Sequence, residues 1–511
     1  MSFTRRDFLR CTTGLAAAAL PVPRLLAQPL FSGNPFTLGI ASGYPSPDGV
    51  VLWTRLAPEA GMPQAAVEVA WEIAADEAFR KIVRRGKENA EPQWGHSVHA
   101  EAVGLAPGRD YFYRFHAGGA TSPSGRTRTS PAEGAGMERL RFAFCSCQHY
   151  EQGYYTAYRH MTTEDLDLVV HLGDYIYESS WGRNHVRKHD AGEPVTLEEY
   201  RNRYALYKRD ADLQAAHAMI PWVATWDDHE VQNDYANDRS QNLDAPEEFL
   251  ARRAAAYQAY YEHLPLPRHM RPRGPDALIY TRLNYGGLAA FHVVDDRQYR
   301  SHQVCARPGR GGSNVVRPDE CPERLDPRLT LLGATQEQWL HDGLAAATAR
   351  WNVIAQQTLM AQVDRTVGEG QSFWTDGWDG YPKARERLLG FIDGKRVANP
   401  VVLSGDVHTF AVADLKKDFD HPGLPAVATE FCGGSITSQG PTQKQAQAWL
   451  GDNPHLLYAN GTRHGYVTME LNAKRCTARM RAVNEKEPDA PVHTLAAWTV
   501  ESGQPGAQRG T

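Results

Sequence analysis

Val169-Val170-His171-Leu172-Gly173-Asp174-Tyr175-Ile176-Tyr177 is the stretch whose reading decides the fold. Its short apolar run predicts a buried strand, broken by the glycine, with Asp174 and Tyr177 following within one turn of each other. The same form recurs along the chain. Val401-Val402-Leu403-Ser404-Gly405-Asp406-Val407-His408 puts an aspartate, then a histidine two positions on, after an apolar run. Val223-Ala224-Thr225-Trp226-Asp227-Asp228-His229-Glu230 repeats it, and Phe142-Ala143-Phe144-Cys145-Ser146-Cys147 ends in a thiol. Strands that spill potential ligands from their C-terminal ends describe a site at the carboxyl edge of an α/β sheet. The pattern predicts a metal centre there.

The rest of the chain is consistent with a soluble globular protein. Its 511 residues exceed one ordinary domain, and 42% apolar with 23% charged residues is a globular composition. A net charge of −5, with no basic run outside the N-terminus, invites neither a stable nucleic-acid complex nor an anionic membrane. Thr4-Arg5-Arg6-Asp7-Phe8-Leu9-Arg10 precedes a short apolar stretch and Leu25-Leu26-Ala27. The stretch is too short to span a bilayer, so residues 1–27 are expected to be a cleaved signal and not a transmembrane anchor. The arginine pair followed by Phe-Leu resembles a signal for the twin-arginine export machinery, which predicts a periplasmic or secreted protein. Loss of that segment removes four arginines and one aspartate and moves the net charge from −5 to about −8. Of the seven cysteines, Cys11 goes with the signal, and Cys305 and Cys321, bracketing a Gly/Pro/Arg-rich loop, are the expected disulfide.

From Phe36 to Thr129 short strands alternate with Gly/Pro turns, which predicts an all-β domain over 36–129. Gly104-Leu105-Ala106-Pro107-Gly108-Arg109-Asp110-Tyr111 resembles the tyrosine corner of immunoglobulin-like sandwiches. His96 and His99 are expected to be surface or packing residues. Residues 130–138 read as a linker, and from 139 strands alternate with helical stretches, an α/β layered domain. Glu247–His263 is expected to be an amphipathic helix. Thr335-Gln336-Glu337-Gln338 is expected to open another with a capping box, running to about Arg350. The polar tail beyond Gly503 is expected to be disordered.

Together, Cys147, Gly173-Asp174 with Tyr177, Asp228-His229-Glu230 and Gly405-Asp406-Val407-His408 resemble the metallophosphoesterase pattern. Its usual blocks are D, GDxxY, GNHE and GHxH; here cysteine replaces the first aspartate, and aspartates replace the asparagine and the first histidine of the later blocks. Those departures, the N-terminal β domain and the Arg-Arg signal are similar to the PhoD family of alkaline phosphatases and phosphodiesterases. Cys147-Gln148-His149-Tyr150, Asp295-Asp296-Arg297-Gln298-Tyr299-Arg300 and Asp379-Gly380-Tyr381-Pro382 extend the resemblance from Phe36 to about residue 485. It implies an α/β fold with a metallophosphoesterase-like layered β-sheet core and flanking helices, preceded by an immunoglobulin-like sandwich, with the catalytic domain spanning 139–511.

Phosphate-ester hydrolysis must bring a nucleophile to an anion and neutralise charge on the attacking and leaving oxygens, which cations about 3.5–4 Å apart accomplish. Asp174 is the natural bridging carboxylate. Cys147 and Tyr177 are poor partners for Mg²⁺ or Ca²⁺ but suit a trivalent ion, in agreement with the Fe³⁺ that the resemblance implies. Asp228 and Asp406 add hard oxygens for the implied Ca²⁺, and His408 is assigned to the iron. Cys145 is expected to face away from the site. His229 either orients its neighbours or protonates the leaving group. Asn233 and Asp234 are helix caps or outer ligands, and Glu430 is a further possible ligand. Arg297 holds phosphate or pairs with Asp295 or Asp296. Trp374, Trp378 and Tyr381 are candidates to line the cleft. The expected activity is hydrolysis of phosphate mono- and diesters, with phospholipid or polymeric diesters within reach. A phospholipase-D-like diesterase and a non-catalytic binding protein are the alternatives.

Overall fold

The computed structural model describes residues 31–58 and 61–510; the expected signal segment, residues 1–27, lies outside them. Two large sheets face each other. A ten-stranded sheet has the parallel strands Arg139–Cys145, Leu168–His171 and Trp222–Ala224 near its centre. A seven-stranded sheet is built on parallel Ala289–Val293, Trp351–Ala355, Pro400–Ser404 and Ala428–Cys432, with antiparallel strands at both edges. Side-chain alternation makes the second sheet two-faced. Val353, Val401 and Leu403 point into the space between the sheets, where Phe142 meets Phe291 edge-on at 5.1 Å. Ile354 and Val402 point the other way, onto Leu340 and Leu344 of helix Ala334–Ala346 and Leu388 and Ile392 of helix Pro382–Lys395. On the outer side of the first sheet, helices Thr156–Met161, Leu197–Lys208 and Pro246–His263 carry aromatic side chains that join its core, and helix Ala211–Met219 adds Leu213 and Ala216. Each fully buried Leu, Val or Phe contributes about 1.5–3 kcal/mol, so both interfaces are strong constraints on where the strand ends sit.

In the N-terminal region, Ile40–Ser46, Gly49–Arg55 and Ser97–Val103 lie over a five-stranded sheet, with Leu52, Val69, Ile73, Ala100 and Tyr113 enclosed in one cluster. The tyrosine corner is formed: Ala106 N–H donates to the Tyr111 hydroxyl at 2.9 Å. His99 stacks on Tyr261 at 4.1 Å, a packing role. The three N-terminal strands do not form a sheet of their own. Gly43 pairs in parallel with Trp222, so they extend the ten-stranded sheet, and the 130–138 segment is not a break in hydrogen bonding.

Two further expectations change. No capping box forms at Thr335; the helix begins after Gly333, in the left-handed region at φ 73°, and ends at Ala346. The Gln336 amide is used elsewhere, exchanging hydrogen bonds with the backbone of Asp295 at 2.8 and 2.7 Å. The C-terminal tail is ordered: Gln504–Arg509 pairs with His493–Glu501, and Ala507 N–H reaches Asp414 at 2.9 Å. The expected Cys305–Cys321 disulfide is present, with Cα atoms 6.0 Å apart. No helix of the described residues is long and apolar enough to cross a membrane.

Candidate metal centre and active site

The carboxyl ends of the parallel strands converge on a cleft of about 610 Å³, whose wall includes Asp228, His229, Asp406 and His408. The turns that deliver the ligands share an unusual backbone. Cys147, Asp174, Asp234, Asp406 and His408 all have positive φ, between 49° and 63°. Non-glycine residues adopt that region at a cost, and its concentration here aims side chains inward that a regular strand would point elsewhere. Gly173 is forced: at φ 108°, an added Cβ would come within 2.5 Å of the Cβ of Asp227. Adjacent turns are stitched together by Cys147 N–H to Gly173 O at 3.1 Å and Gln148 N–H to Asp174 O at 3.0 Å.

Three overlapping groups of ligand atoms result, each within 4.8 Å: Cys147, Asp174 and His408; Asp174, Asp228 and His229; Asp228, Asp234 and Asp376. Asp174 links the first two, and Asp228 links the last two. The Tyr177 hydroxyl lies 2.9 Å from Asp174 Oδ2 and 3.1 Å from His408 Nε2, inside the first group. His408 Nδ1–H donates to the Gln439 carbonyl at 2.8 Å, which leaves Nε2 as the free lone pair, the usual support of a metal-ligating histidine. Asp174 Oδ1 is buried and has no hydrogen-bond partner. An orphaned buried oxygen on a carboxylate grouped with a thiol and an imidazole, and bonded through its other oxygen to a phenol, is a donor set that suits a cation.

The electrostatics agree. Burial, with the Asp174 charge adding to it, raises the Cys147 thiol well above its usual range. Burial likewise raises Asp174 well above an ordinary carboxylate, Asp406 to about 7 and Asp234 to about 6. Burial lowers His408 to about 4, so it is neutral and ready to bind. His229 goes the other way: burial opposes its charge, but Glu178, Asp228 and Asp174 outweigh burial and hold it well above 6.5. Burial also disfavours the Asp228 charge, yet Arg297 and His229 pull its carboxyl below the usual range. Protons thus sit where cations would replace them.

A model of the PhoD-like phosphatase family matches residues 142–480, and a model of that family's N-terminal domain matches residues 23–131. The chain belongs to the PhoD-like phosphatase family. It is 46% identical over 531 residues to alkaline phosphatase D of Bacillus subtilis (strain 168), covering 99% of this chain and 89% of that protein. A solved structure of PhoD matches with a TM-score of 0.89 at 47% identity, covering 94% of this chain and 93% of the other. This PhoD-like phosphatase is therefore a phosphoric ester hydrolase.

Not every residue singled out in the sequence lies on the cleft of this PhoD-like phosphatase. Arg297 does not: it is fully buried beneath the floor, enclosed by carboxylates. Its Nε donates to Asp227, Nη1 lies 2.8 Å from Asp376, and Nη2 stands 3.7 Å from Asp228. Of its two expected partners, Asp295 is spent on the backbone N–H groups of Arg297 and Gln298, whereas Asp296 pairs with the guanidinium at 3.8 Å. Arg297 is thus occupied by the aspartate floor. Asn233 reaches the cleft wall, and its backbone N–H donates to Glu178 at 2.9 Å. Glu430 is remote, accepting from the backbone of Met360 and Ala361 at 2.7 and 2.8 Å. Trp374 lines the cleft; Trp378 and Tyr381 are buried in hydrogen bonds to Gln356 and Ser301. Cys145 is in the core, 3.9 Å from the Tyr158 hydroxyl, as expected.

Sequence reasoning assigned no role to the groups that hold this machinery. Glu230 accepts from the N–H groups of Asp174, Tyr175 and Asp227 at 3.1, 2.6 and 2.8 Å, clamping two ligand turns with one carboxylate. Glu178 accepts from His229 Nδ1 at 2.7 Å. Asp376 is held by Arg297, Arg300 and Gln303, so its charge is already balanced. Ser438 donates to the Tyr177 hydroxyl at 2.8 Å, and Trp181 stacks on His408 at 5.7 Å.

Proposed function

We propose that the chain is an exported, metal-dependent phosphatase and phosphodiesterase that releases phosphate from mono- and diesters. The observation carrying this reading is the buried, unpartnered Oδ1 of Asp174, in the carboxylate common to the Cys147/His408 and Asp228/His229 groups. In this reading Cys147, Asp174, Tyr177 and His408 hold Fe³⁺, and Asp174, Asp228, Asn233 and Asp406 serve Ca²⁺. Bound there, the cations supply positive charge for the phosphoryl oxygens and make a nucleophilic water available near neutral pH.

The remaining work belongs to the chain's own side chains. His229, kept charged by Glu178, lines the cleft and donates its proton to the leaving oxygen. Arg297 fixes Asp227 from below and neutralises part of the Asp228 charge. Thr358 donates to Asp406 at 2.6 Å and fixes its orientation. The cleft accommodates more than a phosphate group, in keeping with small phosphate esters and with phospholipid or polymeric diesters as substrates. Export runs through the twin-arginine machinery, which suits a protein loaded with metal before it leaves the cytoplasm.

The test is metal analysis of the isolated protein together with hydrolysis of p-nitrophenyl phosphate and bis(p-nitrophenyl) phosphate. The expected result is iron and calcium in the protein, turnover of both esters, loss of activity in EGTA, and a visible thiolate or phenolate band that weakens in Tyr177→Phe. A colourless, iron-free protein with full activity contradicts the iron assignment.

A further inference from the structure

We propose that Arg365, with Arg310 lining the same cleft, forms a subsite for a second phosphate on the substrate. The inference deepens the reading above and rests on it. The same cleft is lined by two kinds of charge: the carboxylates of Asp228, Asp234 and Asp406, which the metals neutralise, and the guanidinium groups of Arg310 and Arg365.

Arg365 is unlike the other arginines around the site. Arg297, Arg300 and Arg385 each face a carboxylate at 2.7–2.9 Å. Arg365 has no carboxylate at ion-pairing distance among the described residues, and its Nε is buried without a hydrogen-bond partner. Its Cζ sits 5.2 Å from the ring centre of Trp374 and 5.5 Å from that of Trp449. Two indoles offset only part of the cost of taking a guanidinium out of water, and the missing component is an anion. Burial accordingly pulls Arg365 below its usual range.

The arrangement is built rather than incidental. Asp364 Oδ1 accepts from Thr366 N–H at 2.9 Å and Ser372 N–H at 3.0 Å, and Arg365 N–H donates to Ser372 O at 2.9 Å, which closes the loop. Asp364 N–H donates to Asn453 at 2.8 Å, tying that loop to the end of helix Gln443–Asp452, which carries Trp449. Trp374 pairs with Val315 inside the segment closed by the Cys305–Cys321 disulfide, and the exposed Arg310 lies in the same segment. A guanidinium held against ring faces presents its N–H groups in a planar fork that matches phosphate. The ligand class is an ester bearing a second phosphate, its connecting chain running past Trp374 and Trp449.

The experiment compares kcat/KM of the metal-loaded enzyme for hexane-1,6-diol bisphosphate and for hexyl phosphate, in wild type, Arg365→Gln and Arg365→Lys. Thermal unfolding serves as the control for folding. The ratio of the two values is expected to fall about tenfold or more in Arg365→Gln, through KM, and to recover at least in part in Arg365→Lys. Hexane-1,6-bisphosphonate is expected to inhibit wild type more strongly than hexylphosphonate and to lose that advantage in Arg365→Gln. An unchanged ratio in Arg365→Gln, even if both activities fall together, means that Arg365 only braces the two indoles, and overturns the proposal. A wild-type enzyme inactive on hexyl phosphate instead contradicts the proposed function.

Discussion

Nδ1 of His229 lies 2.7 Å from Oε2 of Glu178, and both side chains are buried against the metal-ligand cluster. The His229 ring also sits 4.1 Å from that of Tyr177, so the proton donor and the candidate iron ligands form one packed unit. The pair explains how a buried imidazole stays charged: the Glu178 carboxylate, with Asp228 and Asp174, outweighs the burial that would otherwise discharge it.

Glu178→Gln therefore moves the alkaline limb of the rate profile. With Glu178 neutralised, His229 is expected to lose its proton at least about one pH unit earlier, and the fall in kcat begins at correspondingly lower pH. The pair also has a stability signature. Since the folded pKa of His229 is raised, its contribution is complete below the unfolded value of about 6.5 and is lost as pH rises through the folded one. The checks are kcat against pH and thermal unfolding against pH, for both proteins. Superimposable profiles contradict the assignment.

The Glu230 clamp makes a prediction about rigidity. In Glu230→Gln one of the N–H groups of Asp174, Tyr175 and Asp227 must face an amide N–H, leaving buried donors unsatisfied at a cost of about 1–3 kcal/mol. Unfolding temperature should fall, and metal affinity should fall with it because two ligand turns lose their common anchor. Calorimetry and metal titration measure the two effects. Wild-type metal affinity in a folded Glu230→Gln protein contradicts the clamp.

The buried acids predict an inverted pH dependence for metal-free protein. Asp406 and Glu230 are raised to about 7 and Asp234 to about 6, each by burial first. Unfolded aspartate and glutamate titrate near 4, so between about pH 4 and 7 the native state binds more protons than the unfolded chain. Stability must then decline as pH rises through that window. Chelated protein is expected to lose unfolding temperature from about pH 5 to 8, and the metal-loaded protein to lose much less, with proton release on loading. A flat profile for the chelated protein contradicts the burial of uncompensated acids.

Much of this site was legible because its chemistry is carried by residue type at strand ends. Cys147, Asp174, Asp228, Asp406 and His408 each follow an apolar run; the structure places all but Asp406 in the ligand-atom groups, and Asp406 on the wall of the same cleft. Their supports were not legible. Glu178 is a single acid beside a motif residue and Glu230 closes a motif block without an assigned role, and only three-dimensional placement shows that one holds a histidine and the other two turns. For Arg297 the residue type left phosphate binding and carboxylate pairing open, and only the structure shows the side chain buried among Asp227, Asp228 and Asp376. The continuity of the N-terminal strands with the large sheet rests on the pairing of Gly43 with Trp222, which leaves no periodic trace. Gln504–Arg509 has the polar composition of a loose tail, yet its backbone bonds to a neighbouring strand, and exposed edge strands need no apolar alternation.

The central claim is that Asp174 is shared by two cations, and Asp174→Asn compared with Asp228→Asn tests it most directly. The measurement is bound metal per chain with kcat, using circular dichroism to verify the fold. An amide at position 174 bridges poorly, so Asp174→Asn is expected to disturb both metal sites and to lose about 10³-fold or more in kcat, equivalent to at least about 4 kcal/mol of barrier. Asp228→Asn is expected to weaken one site and leave the other filled. A folded Asp174→Asn protein that keeps both metals and turns over near the wild-type rate contradicts the account.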